Sequence, residues 1–160
     1  MSRAFVREQD NILPEGPPEL ELGDGPNFVT PAGLEQIDGK VTLLQAELAR
    51  TSDEATRNTL SRDLRYWSAR QATAQVVVPK NAESVEFGTR VTIERRGKRQ
   101  IFEIVGTDEA HPNEGRLNWQ APLAAALLGA RIGETVTLEN HSPAEEITIL
   151  GIEIPRSIHF

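Results

Sequence analysis

The stretch ELARTSDEATRNTL, residues 47–60, decides how the first half of the chain folds. A helical pattern runs into it and another leaves it. Upstream, Leu34, Ile37, Val41, Leu44 and Leu48 recur at alternating spacings of three and four, the seam of a helix that packs along one face. Downstream, Leu60, Leu64, Trp67, Gln71 and Ala74 repeat that seam. Between the two, Thr51 or Ser52 can cap a second helix, and Thr51 with Glu54 has the spacing of a capping box. Helices joined by so short a turn must be antiparallel neighbours. Residues 28–76 are therefore expected to form an antiparallel coiled-coil hairpin of two helices, each of about 20 residues and roughly 30 Å. Thr30 is a suitable N-cap, Pro31 suits the first helical position, and Phe28 can staple the start. Gly39 is an interior weakness of about 1 kcal/mol relative to Ala.

Outward from the hairpin, residues 1–27 read as a disordered, acidic, Pro-rich tail. Pro14, Pro17, Pro18 and Pro26 interrupt it and few large apolar groups offset its conformational entropy. A docking peptide that folds on a partner is the alternative. The whole chain has 160 residues, 38% of them hydrophobic, no Cys and a formal net charge of −7. Without Cys there is no disulfide framework, thiolate metal site or Cys nucleophile. No apolar run approaches the roughly 18 residues of a membrane span, and the N-terminus lacks a signal-peptide core. A cytoplasmic protein is expected. The acidic balance makes free duplex DNA a poor partner, because phosphate contacts need cations. It suits docking onto another protein, or placing carboxylates near metal ions.

Beyond residue 76 the period changes. Residues 76–79, VVVP, are an extended exit. Val91 and Ile93 alternate with polar residues, and a turn at Arg96–Gly97 leads to a second alternating run, a β-hairpin signal. GRLNW is a short strand, the segment after Pro122 a short helix ended near Gly129, and ETVTLEN and EEITILGIEIP are two more strands. The expected class is α+β, with residues 77–160 forming a small domain around an antiparallel sheet with one short helix.

Here the chain resembles a known family. NFVTPAGLEQI, VEFGTRVTIE, the block FEIVGTDEAHPNEGRLNWQAPLAAALLGARIGETVTLE and the final ITILGIEI are together similar to the GreA/GreB bacterial transcription elongation factors, over about residues 27–154. The resemblance implies an N-terminal antiparallel coiled coil and an FKBP-like C-terminal domain. It implies RNA polymerase as partner, met at the rim of its secondary channel, with nucleic acid met only within the transcription complex. Tip acids would help hold the second Mg²⁺ of the polymerase's own active site, so that a backtracked transcript is cleaved there. The factor would be no enzyme itself and would bind no cofactor stably. A two-metal site of this kind stabilises both the attacking and the leaving oxygens. The chain departs from the pattern at the tip, where TSDEATRN replaces a Gly-Asp-Leu-x-Glu-Asn type of segment, and in an arm several turns shorter. Short-armed relatives, the regulators of nucleoside diphosphate kinase, bind polymerase without cleaving, and a competitor of Gre factors is the corresponding alternative.

The candidate tip acids are Asp53 and Glu54; the alternative is two carboxylates favoured by a helix N-terminus. Candidate partner contacts are Asp108, Glu109, Trp119, Gln120, Ala121 and Pro122, of which Gln120 to Pro122 align with the polymerase-contacting loop of the family. Against this stand a helix-start turn for Pro122 and core packing for Trp119, as for Trp67. Arg95, Arg96, Lys98 and Arg99 form either a solvated hairpin tip or a small basic patch. His111, His141 and His159 offer no metal spacing. A function of another class, an FKBP-like prolyl isomerase, needs an apolar pocket for proline, and the aromatics between residues 77 and 158, Phe87, Phe102 and Trp119, do not suggest one. A monomer is expected.

Overall fold

The computed structural model describes residues 16–139 and 143–156. The tail expectation for residues 1–15 lies outside them, as do His141 and His159. The chain divides into two compact units, one of Met1–Asp24 with Ile37–Ala72 and the other of Gly25–Gln36 with Thr73–Phe160.

In the first unit, helix α1 (Pro31–Arg50, whose first turn belongs to the second unit) and helix α2 (Glu54–Thr73) are each 20 residues long. The seam on α1 buries Ile37, Val41 and Leu44. On α2, Leu60, Leu64 and Trp67 are half-buried and Gln71 is exposed. The chain reverses over residues 51–53. Gln71 Nε2 donates to Asp38 Oδ1 at 2.8 Å, and Lys40 Nζ lies 5.9 Å from the centre of the Trp67 ring. At the turn, the Arg57 guanidinium donates to the carbonyls of Leu48 (2.6 Å) and Thr51 (2.8 Å), satisfying groups that a helix C-terminus leaves open. Residues 16–24 belong to this unit. Glu19 pairs with Arg65, and Arg70, the buried side chain of α2, donates to the Leu22 carbonyl at 2.9 Å.

In the second unit, β1 (Asn27–Val29) pairs in parallel with β2 (Ala74–Val76), and Asn27 Nδ2 donates to Thr73 Oγ1 at 3.2 Å. A five-stranded sheet follows. β3 (Arg90–Arg95) is central, flanked by β4 (Lys98–Val105) and β7 (Glu145–Glu153). β5 (Arg116–Asn118) lies outside β4, and β6 (Thr135–Leu138) outside β7. The β3–β4 turn has positive φ at both Arg96 (53°) and Gly97 (74°), the left-handed pair whose twist matches a two-residue hairpin. Thr92 pairs with Gly151 and Ile93 with Ile149, so Leu150 is an extra residue that bulges and bends β7. Helix α3 (Pro122–Leu127) places Ala124 and Leu127 in a core with Val91, Ile93, Ile104, Ile147 and Ile149, all fully buried.

The class is α+β, and the order of strands and helix in residues 77–160 follows the alternation in the sequence. Two features differ from the expectation. The β1–β2 pair is additional, because three-residue strands carry no period. The sheet is also not wholly antiparallel: β5 pairs in parallel with β4. The reason lies in residues 106–115, which hold two 3-10 turns, Thr107–Glu109 and Pro112–Glu114. They carry the chain back across the sheet end, so that it re-enters in the direction of β4.

Candidate functional site

Each unit carries some of the residues singled out in the sequence. At the helix–helix turn, Asp53 is the N-cap of α2. Thr56 donates to Asp53 Oδ2 from its backbone N–H (2.9 Å) and its hydroxyl (2.6 Å). These two bonds, the hydroxyl's first, hold the carboxyl below its usual range. The expected caps, Thr51 and Ser52, are not used so. The Thr51 hydroxyl donates back to the Glu47 carbonyl at 2.7 Å, at the end of α1. Glu54 occupies the first turn of α2, exposed. The turn thus holds two solvent-facing acids, one of them already serving the helix.

In the second unit, Asp108, Glu109 and residues 119–122 gather on the two sides of β5. The Gln120 N–H donates to Asn118 Oδ1 at 3.0 Å, and the Ala121 N–H to the Asn118 carbonyl at 2.9 Å. This Asx-type turn delivers the chain to Pro122 at the start of α3. Asn118 is not among the residues singled out in the sequence, although Asn shortly before Pro is its signal. Gln120 and Pro122 are exposed and Ala121 is half-buried. The Trp119 ring packs 5.0 Å from Phe28, which in turn lies 6.0 Å from Phe87. Trp119 is therefore anchored by one face and half-buried.

Glu109 requires a correction as a partner contact. It is buried, 6% exposed, and its carboxylate faces inward. Oε2 accepts from the backbone N–H groups of Thr30 (3.0 Å) and Gly106 (3.2 Å), and Oε1 from the Thr30 hydroxyl. Its carbonyl accepts from Arg116 Nε at 3.2 Å. Asp108 stays half-buried at the surface of the same turn.

The remaining features lie apart from these. Arg95 and Arg96 are both drawn to the buried Glu145, and Arg96, Lys98 and Arg99 are exposed at that hairpin tip. A cleft of about 450 Å³ in the second unit is lined by Pro31, Val78, Pro79 and Ile154 among apolar groups, and by Arg90 and Arg116. No aromatic side chain lines it. Among the described residues no cluster of His, Asp and Glu is placed to hold a metal ion, and no helix is long and apolar enough to cross a membrane.

Residues 79–154 match the family described as transcription elongation factor, GreA/GreB, C-term, and this segment is similar to the GreA and GreB proteins. It is 38% identical over 86 residues to the transcription elongation factor GreA of Roseiflexus castenholzii, a match spanning 51% of this chain and 55% of that protein. It is 29% identical over 152 residues to GreB of Neisseria meningitidis serogroup A, covering 79% of this chain and 93% of that one. A crystal structure of Thermus aquaticus Gfh1 aligns with a TM-score of 0.41 at 19% identity, over 80% of this chain and 98% of that one.

Proposed function

We propose that the chain regulates transcription elongation by binding bacterial RNA polymerase at its secondary channel. The second unit, an FKBP-like domain, docks through Asp108, Trp119, Gln120, Ala121 and Pro122. The two helices act as a short antiparallel coiled-coil arm that enters the channel. The observation that carries this reading is the match of residues 79–154 to the GreA/GreB C-terminal domain. The exposed turn held by Asn118 and the half-buried Trp119 supply an anchor and a rim, the pattern of an interface with a central aromatic group. The chain itself is not an enzyme and works on the polymerase's active site.

At the tip a specific observation favours regulation without cleavage. Asp53 spends Oδ2 on capping α2, and each helix of 20 residues is roughly 30 Å long. A carboxylate must sit in bonding contact with Mg²⁺ to assist, and one helical turn, about 5 Å, of shortfall removes that contact. Backtracked elongation complexes test the choice. Wild type, Asp53→Asn and Glu54→Gln are added and transcript shortening is followed, with a full-length Gre factor as competitor. Competition without shortening is expected. Shortening lost in Asp53→Asn or Glu54→Gln would assign the metal role to the tip, and absence of any polymerase binding would sink the proposal.

A further inference from the structure

Helix α1 begins with Thr30 as N-cap, and its hydroxyl accepts from the Gly33 N–H at 3.0 Å. In an ordinary capping box the residue at this third position is Glu or Gln, and its side chain reaches back to the N-cap N–H. Here that position is Gly33, which has no side chain to offer. The carboxylate on the Thr30 N–H comes instead from Glu109, 79 positions along the chain. It occupies the space where a side chain at Gly33 would begin: a Cβ there would lie 2.7 Å from Glu109 Cγ and closer still to Cδ and Oε2. The same Oε2 accepts from the N–H of Gly106, the N-cap of the Thr107–Glu109 turn, so Glu109 caps the start of its own turn as well, with no side chain on Gly106 to return the bond. One carboxylate thus caps two elements. Gly106 is equally constrained, since a Cβ there would collide with the Phe28 carbonyl.

The consequence reaches the candidate docking surface. Phe28 touches Gly106 through its backbone and Trp119 through its ring, and the Trp119 N–H donates to the Val105 carbonyl at 2.9 Å. We propose that Glu109 is a positioning residue for the docking loop: as the shared capping carboxylate of α1 and the Thr107–Glu109 turn, it clamps the β1–α1 junction and so fixes the seat of Trp119. Only the polymerase arm of the test rests on the proposed function.

The full chain is compared with Glu109→Gln, which keeps shape but supplies an amide, and with Gly33→Ala, which crowds the intact carboxylate. Amide exchange at Thr30, Gly33 and Gly106 and the Trp119 indole N–H resonance are followed in the free protein. In both variants exchange at Thr30 and Gly106 rises about tenfold or more. The Trp119 resonance moves, while Ile93 and Ile149 exchange as in wild type. Binding to bacterial RNA polymerase weakens in parallel. If exchange rises but the Trp119 resonance and polymerase affinity stay at wild-type values, Glu109 is a local cap only and the proposal fails. It fails equally if Gly33→Ala leaves Thr30 and Gly106 unchanged. A wild type that does not bind polymerase defeats the functional reading, while the free-protein spectra still decide the role of Glu109.

Discussion

Asp53 and Glu109 are both carboxylates at helix starts, yet they answer to different forces. Asp53 is exposed and its pKa is lowered by Thr56. A depressed carboxyl contributes stability that is fully present above its unfolded pKa and is lost as pH falls through the folded value. The first turn of α2 is therefore expected to loosen in acid, read as falling protection of the Thr56 and Arg57 amides. Asp53→Asn keeps a good cap and removes that acid step; Asp53→Ala loses the cap at every pH. Asn at this position accordingly separates a metal role from a structural one in the cleavage assay. Glu109 is buried with three donors on its carboxylate. Glu109→Ala strands those donors and is expected to cost about 2–3 kcal/mol in denaturant unfolding. Arg90, between Glu103 and Glu153 on the sheet surface, is a useful contrast. It is partly exposed, and Arg90→Ala is expected to cost less than about 1 kcal/mol, screened further by salt. A larger loss at Arg90 than at Glu109 would overturn this ranking.

Helix α1 was legible as an element because its apolar period is long and the signals at its start, Thr30 and Pro31, are local. The Thr30 N-cap is as the sequence indicates, with Gly33 bonded to its hydroxyl. The cap of α2 lies one or two residues beyond the expected position. Thr51, Ser52 and Asp53 are all chemically able to cap, and only the bond from Thr51 back to Glu47 takes Thr51 out of contention. The strands beyond residue 90 were legible from alternation, whereas β1 and β2 are too short to show any. The inward turn of Glu109 was not legible: Thr30, which supplies two of its three donors, lies 79 positions away, and a buried Glu in an acidic turn looks like an exposed one. Gly39 gives a prediction at this scale. A Cβ there meets nothing within 4 Å, so Gly39→Ala should gain helix propensity without a clash. An increase of about 0.5–1 kcal/mol in unfolding free energy is expected, and a loss would reveal an unseen contact.

At the scale of the whole chain, the two units differ in how they are held. The sheet unit carries fully buried Val91, Ile93, Ile104, Ile147 and Ile149, whereas α2 buries only Arg70. Local opening follows buried apolar contacts. Hydrogen exchange is therefore expected to be fastest in α2 and slowest in β3 and β7. Equal protection in both would mean that the units unfold as one. The resemblance was legible because several motifs keep their order, and the match falls on residues 79–154; a role for the turn at Asp53 and Glu54 was not, because the segment there departs from the family's pattern.

The shared cap at Glu109 also sets a rule for recombination. Helical arms of related factors are natural parts to exchange, and a designer would cut where the helix starts. In this chain such a cut falls at residue 29 or 30 and separates Gly33 from Glu109. An incoming arm with an ordinary capping Glu at the third position would then bring a second carboxylate into space already filled. A junction placed after Gln36 instead keeps the clamp with its own loop, and the transplanted arm begins nearly two turns later.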